Sequence, residues 1–235
     1  QYGIRTGVVG HGGTAADLRP QGIDRHFTDL YSENSLFSQF RHAGMYTASV
    51  SSFAERHSSW WFNAGLNECL NVGSRGGDDN WMLHVHYWDP HTPYRTPMDY
   101  GNPFENEPLP DPWITDEVFA EHYRHVGPHC AREIDMWDDL SNPRFPRHPG
   151  SVNNPAEAKR FIDNYDCGVK YTDDAIGEIL NRLRQMGIYD DVSILITSDH
   201  GENIGELGLY AEHGTADEIT CRIPMIVKWC GGASG

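Results

Sequence analysis

Residues 193–202 read Ser193-Ile194-Leu195-Ile196-Thr197-Ser198-Asp199-His200-Gly201-Glu202. A short apolar run that breaks into polar residues has the length of a strand. It is expected to be buried on both faces, as strands are where helices cover a sheet. A carboxylate and an imidazole leaving such a strand together pack poorly but can ligate a cation. Gly201 lets the backbone turn away sharply after them. The competing interpretation of Asp199 and His200 is an ordinary polar turn.

Upstream, Pro155 to Met186 carries the clearest helical pattern. Asn154 can cap it and Pro155 suits its first position. Ala158, Phe161, Ile162, Tyr165, Val169, Ala175, Ile176, Ile179, Leu180 and Leu183 recur at three- and four-residue spacing, the mark of a core-facing stripe. Gly187 ends the run. Downstream, Ile223 to Trp229 is expected as another strand. Nearer the N-terminus, Ser35 to Ala43 is expected as a short amphipathic helix stopped by Gly44, with strands following at Met45 to Phe53 and Trp81 to Trp88. This alternation predicts an α/β sheet covered by helices. From about Thr96 to Asn154 the chain is rich in Pro, Trp and Asp, with one helix expected near Thr115 to His125. Long excursions of this kind often shape substrate pockets.

In open α/β sheets the chemistry lies outside the carboxyl ends of the strands, and further polar clusters fall there. Asp89-Pro90-His91-Thr92-Pro93-Tyr94 follows the strand ending near Trp88, its two prolines stiffening the loop around the imidazole. His84 and His86 alternate along that strand, so they share a face, either lining a pocket or buried and hydrogen-bonded. Glu212-His213-Gly214 comes after the Asp199 loop, and Glu55-Arg56-His57 lies just past an earlier strand. Each is weak singly.

The bulk composition narrows the class. The 235 residues suit one α/β domain, and 38% hydrophobic with 11% aromatic residues excludes a disordered chain. No apolar run approaches the roughly 20 residues that cross a bilayer, and residues 1–10 lack the pattern of a signal peptide. A net charge of −16, from 18 basic and 34 acidic residues, repels polyanions and argues against nucleic acid as a partner. Five cysteines without CxxC spacing are expected mostly as buried thiols, with room for one bridge, and leave the compartment open. The glycine-rich Gly7 to Gly13 is no P-loop, since no Gly-Lys-Ser/Thr follows; His11 within it is an outside candidate for a pocket.

Taken together, these motifs resemble the sulfatase family of the alkaline-phosphatase superfamily. Tyr171 to Gly177 looks like that family's long helix before the metal-binding strand, and Ser198-Asp199-His200-Gly201 like its strand end. Arg222-Ile223-Pro224 looks like the strand that follows, and Asp89 to Tyr94 like its mid-domain histidine loop. Arg5-Thr6-Gly7-Val8 is similar to the segment just after its nucleophile signature. The resemblance runs in family order along nearly the whole chain. It implies a partial catalytic domain over residues 1–235, with an alkaline-phosphatase-like three-layer α/β/α sheet, helices on both faces, incomplete at the N-terminus.

The implied chemistry is hydrolysis of a sulfate ester, small-molecule or glycan, by a formylglycine nucleophile with one divalent cation. That cation is Ca²⁺ in the first instance, with Mg²⁺ or Mn²⁺ as alternatives. Asp199 and His200 match half of the metal site. His91 matches a histidine that contacts the sulfate and protonates the departing alcohol oxygen, and His57 a second active-site histidine with Arg56 beside it at the substrate. Two departures stand out. Glu55 occupies a position where the family carries lysine, and a later family lysine is absent, with His213 roughly in its place as substrate-binding and catalytic residue. No cysteine here sits in a Cys-x-Pro-x-Arg context, so the nucleophile and the first metal carboxylates are expected upstream of Gln1, and these residues alone are expected not to turn over.

Two rivals remain at this point. One is a one-metal phosphonate or phosphodiester hydrolase of the same superfamily. Two-metal phosphatases need further His and Asp ligands, and no Asp is followed four residues later by His, which favours a single hard cation. The other is a non-catalytic carbohydrate-binding relic that uses Trp60, Trp61, Trp81, Trp88, Trp113 and Trp137, although such residues are more often core or interface anchors.

Overall fold

The computed structural model describes residues 36–51, 68–70, 81–109, 114–134 and 144–232. The chain divides into two compact units, residues 1–88 and 89–235.

In the first unit, helix α1 (Leu36–His42) leads through Gly44, whose φ of 81° suits a residue without Cβ, into strand β1 (Tyr46–Ser51). Strands β2 (Glu68–Leu70) and β3 (Trp81–His86) flank β1, both parallel to it, giving the order β2-β1-β3. The β1–β3 register runs from Tyr46 opposite Trp81 to Ser51 opposite His86. Thr47, Ala48 and Ser49 are buried. Parallel strands joined by crossovers are the signature of an α/β sheet. His84 and His86 do share a face, their rings 6.1 Å apart. His84 is engaged with Ser49 Oγ at 3.0 Å, and burial, then the neighbouring His86, pushes its pKa down.

The second unit is organised by helix α3 (Pro155–Gln185), which follows the short helix α2 (Asp116–His122). Both are capped as their sequences dictate: Thr115 Oγ1 accepts from Val118 N, and Asn154 Oδ1 from Glu157 N. The apolar stripe of α3 is fully buried only in its first half. Ala158, Phe161 and Ile162 pack with Tyr94, Ile114, Phe119, Ala131, Ile134, Val152, Tyr210 and Ala211 into one core. Val169, expected in the stripe, is 44% exposed.

Strand β4 (Ile194–Thr197) follows, then β5 (Asn203–Ile204), β6 (Tyr210–Glu212), the single-turn helix α4 (Glu218–Cys221) and β7 (Met225–Lys228). β4 pairs antiparallel with β7 in a two-stranded ladder, and β5 pairs antiparallel with β6. The expectation that β4 is buried on both faces is corrected here: Leu195 is 59% and Ile226 61% exposed. A two-stranded ladder has too few neighbours to sandwich its side chains.

The Pro-rich excursion is tied down by one buried cation. Arg147 donates to the carbonyl oxygens of Thr96, Pro97 and Gly101 at 2.8, 2.9 and 2.7 Å. Lys159 on α3 reaches the Phe104 carbonyl at 3.0 Å and Asp163 at 2.6 Å. These bonds hold the segment after Tyr94 against α3, which positions the His91 loop. Cys130 and Cys167 are buried free thiols, and Cys221 and Cys230 exposed ones. Among the described residues no helix is long and apolar enough to cross a membrane.

Candidate functional site

Three histidines from three separate stretches meet in the second unit. His91, His200 and His213 each offer a ring nitrogen, and these atoms all lie within 4.8 Å of one another. The rings of His200 and His213 stack at 4.7 Å, and His91 lies 4.6 Å from His213 and 5.7 Å from His200.

The β5–β6 hairpin produces the first part of this convergence. Asn203 pairs with Glu212, so the residues just outside that pair, Glu202 and His213, are brought together across the ladder's open end. His213 Nδ1 lies 4.0 Å from Glu202 Oε2. Buried Asn203 reinforces the turn, its Nδ2 within 3.3 Å of Thr215 Oγ1 and of Asp217 Oδ2. On the other side, Gly201 N donates to the Thr220 carbonyl at 2.8 Å. A Cβ on Gly201 would stand 2.1 Å from the Ile219 carbonyl oxygen, so only glycine permits this approach.

The His91 loop supplies the rest. It is pressed against α3, where Thr172 Oγ1 donates to the Asp89 carbonyl at 2.9 Å and Gly168 leaves room for Pro90. Buried Glu202 clamps the loop. Its Oε1 accepts from the Tyr94 hydroxyl at 2.7 Å and its Oε2 from Thr92 N at 3.4 Å. Tyr94 is itself wedged among the rings of His148, Phe161 and Tyr165 at 5.4 to 6.0 Å.

Burial dominates the electrostatics. The carboxyl of Glu202 is pushed up to about 7 by desolvation, against the lowering effect of its bonds from Tyr94 and Thr92 N. His91 is pushed down to about 4, mainly by burial and further by the neighbouring His213, His200 and Arg95. A carbonyl oxygen only accepts, so the contacts of His91 Nδ1 with the Thr92 oxygen and of His200 Nδ1 with the Gly201 oxygen (2.8 Å) place the proton on Nδ1. Asp199 has its side chain 67% exposed, with Oδ1 3.8 Å from His200 Nε2. That separation is one a divalent cation bound to both atoms can span.

The structure thus brings His91, His200 and His213 together, with Asp199 beside His200. His57 and Arg56 lie outside the described residues, as do Glu55, His11, the Arg5 to Val8 segment, Trp60, Trp61, Trp113 and Trp137. Arg222 is exposed and pairs with Glu218 at 3.5 Å. Two residues of the site are assigned no part by the sequence patterns, Tyr94 and Glu202. The available signal is that each ends a quoted polar cluster, a place where a side chain turns back toward the core.

The family model described as Sulfatase matches residues 1–235. The chain is 30% identical over 151 residues to the multifunctional alkaline phosphatase superfamily protein PehA of Trinickia caryophylli, a match covering 64% of this chain and 29% of that protein. It is 28% identical over 173 residues to the choline-sulfatase of Rhizobium meliloti (strain 1021), covering 72% and 31%. It is 31% identical over 149 residues to the iduronate 2-sulfatase of Homo sapiens, covering 62% and 26%. The chain therefore spans less than a third of the length of these relatives. Among solved structures, the complex of BT4656 with its substrate D-glucosamine-2-N,6-O-disulfate aligns with 97% of this chain and 59% of that one, at a TM-score of 0.63 and 16% identity.

Proposed function

Because this chain belongs to the sulfatase family and has its alkaline-phosphatase-like α/β fold, we propose that it is part of an enzyme that hydrolyses a sulfate ester at the His91–His200–His213 cluster. The observation that carries the reading is that convergence, in which three chain segments place imidazoles within 4.8 Å of one another beside a carboxylate.

Asp199 and His200 would contribute ligands to a divalent cation, Ca²⁺ in the first instance with Mg²⁺ or Mn²⁺ as alternatives. When bound, such an ion draws charge from a sulfate oxygen. The exposed carboxylate and the imidazole beside it fit an ion of this kind. A formylglycine nucleophile is assigned to sequence not contained in these 235 residues, along with the remaining metal carboxylates. On the family pattern His57 is assigned as a further catalytic residue and Arg56 as a substrate-binding one.

His91 and His213 face the ester. In the ligand-free protein burial holds His91 neutral. An anionic sulfate placed beside it favours the imidazolium, which then hands a proton to the departing alcohol oxygen. His213, whose Nδ1 lies 4.0 Å from the Glu202 carboxyl, orients the sulfate. The iduronate-directed relative makes a sulfated sugar the first substrate to assay, with phosphonate or phosphodiester hydrolysis by a one-metal enzyme of the same superfamily as the alternative.

The test is a parallel assay of the full-length enzyme on an aryl sulfate, a sulfated monosaccharide and a phosphodiester. Sulfate turnover should dominate, and His91→Gln should lower kcat by about 10²–10⁴-fold. Preferential phosphodiester cleavage would replace the reading with its alternative, and unchanged kcat in the variant would remove His91 from it.

A further inference from the structure

His129 stands outside the cluster of His91, His200 and His213, and both of its ring nitrogens are committed to strand β6. Nδ1 lies 3.1 Å from the Tyr210 carbonyl oxygen, which only accepts, so Nδ1 carries a proton. Nε2 lies 3.3 Å from Glu212 Oε2, and protonation there makes the contact an ion pair. The backbone repeats the attachment, Tyr210 N donating to the His129 carbonyl at 2.8 Å. The two paired side chains are mostly buried, 14% exposed at His129 and 21% at Glu212.

The carboxylate of Glu212 carries this tie to His213. Its other oxygen, Oε1, accepts from Gly214 N. The side chain therefore brackets His213, leaving the backbone at residue 212 and returning to it at residue 214. Gly214 N pins one oxygen and His129 the other, so a swing of the carboxylate releases one of them. The far end of the tie is anchored in the core. Ala131 and Ile134, just past His129, are fully buried, and Val152 N donates to the Ala131 carbonyl at 2.7 Å.

The backbone at this junction is unusual. His129 has φ 62° and Ala211, next to Tyr210, has φ 54°, a region that residues with a Cβ seldom adopt. Such conformations persist where the surrounding structure over-determines them, and they gather at functional sites.

We propose that His129 is a positioning residue for the reaction, acting through Glu212 to hold His213 where it meets the sulfate. This rests on the sulfate-orienting role of His213. Misplacing a reacting or orienting group by about 1 Å costs on the order of 10²-fold in rate, so a tie of this kind is felt in turnover.

The test is His129→Asn in the full-length enzyme, assayed on an ester that the enzyme turns over. Asparagine tolerates left-handed backbone, and its amide nitrogen can still donate to the Tyr210 carbonyl, but it is too short to reach Glu212. The substitution should lower kcat/KM by about 10–100-fold. Added to Glu212→Ala or to His213→Gln it should cost less than about twofold more, because residues acting through one another are not additive. A merely structural role would lower kcat/KM by the same factor in all three backgrounds. That result would overturn the proposal, as would a wild-type kcat/KM in His129→Asn. Circular dichroism verifies each fold. Should His129→Asn not fold, Glu212→Ala, which leaves residue 129 unaltered, takes its place in the cycle with His213→Gln, and the same two outcomes decide. Wild-type turnover in His213→Gln removes the role of His213 and this inference with it. A loss in His213→Gln with none in His129→Asn removes this inference alone.

Discussion

The hydroxyl of Tyr94 donates a 2.7 Å hydrogen bond to Glu202 Oε1, closing a loop of 108 residues between two fully or nearly buried side chains. Through this bond the His91 loop and the His200 turn share one anchor. A carboxyl that deep in the protein has little water to fall back on, so losing its donor costs more than an ordinary hydrogen bond. Tyr94→Phe keeps the ring and its aromatic packing, which isolates the hydroxyl. We expect it to destabilise the protein by about 1.5–3 kcal/mol, read as a lowered urea midpoint with an unchanged slope. A midpoint equal to that of the wild type would show that Glu202 is stabilised by other means.

Gly168 on α3 faces Pro90, the residue before His91. A Cβ there would sit 2.8 Å from Pro90 Cα, and backbone cannot yield as a flexible side-chain end can. Gly168→Ala should cost about 1–3 kcal/mol by overpacking and, by displacing His91, lower turnover by the full-length enzyme. Gly177→Ala on the same helix is the control. Nothing lies within 4 Å of a Cβ at that position, so the gain in helix propensity should raise stability by about 0.5–1 kcal/mol. Melting temperatures that move in the same direction in both variants would contradict this packing.

Tyr165 and Tyr210 give the fold an alkaline limit. Burial pushes both phenols up to about 12 from the ordinary value of 10.0, helped by the charges of Glu202 and Asp166 at Tyr165 and of Glu206 at Tyr210. Between those values the unfolded chain releases protons that the folded protein keeps. Their stabilising contribution is therefore complete below pH 10 and is lost as pH rises through 12, up to about 3 kcal/mol for each residue. Phenolate absorbance and far-ultraviolet circular dichroism followed together should change in step above pH 10. Both phenols ionising near pH 10 with the fold intact would refute it.

Much of this was legible because its causes are local. A cap at Asn154, proline at the first turn and a periodic apolar stripe specify α3 whatever surrounds it. The apolar run ending in Asp199-His200 specifies a strand with polar residues at its carboxyl end, and the family pattern follows from motifs kept in order along the chain. What local pattern could not supply was the environment of those elements. β4 has the sequence of a doubly covered strand, yet among the described residues its partner is a single antiparallel neighbour. Val169 keeps the helical spacing but lies beyond the reach of the core.

Tertiary structure alone decided which polar residues meet. Thr92 and Glu202 are 110 residues apart and hydrogen-bond. His91 is brought to His200 and His213 because a hairpin of a few residues closes beside a loop packed on α3. The proton on Nδ1 of His91 and of His200 depends on carbonyl oxygens that face them only in the folded chain. Residue type determined that Asp199 and His200 could hold an ion. Burial and distance, which are properties of packing and not of spacing along the chain, decided that two more imidazoles and a buried carboxyl stand with them.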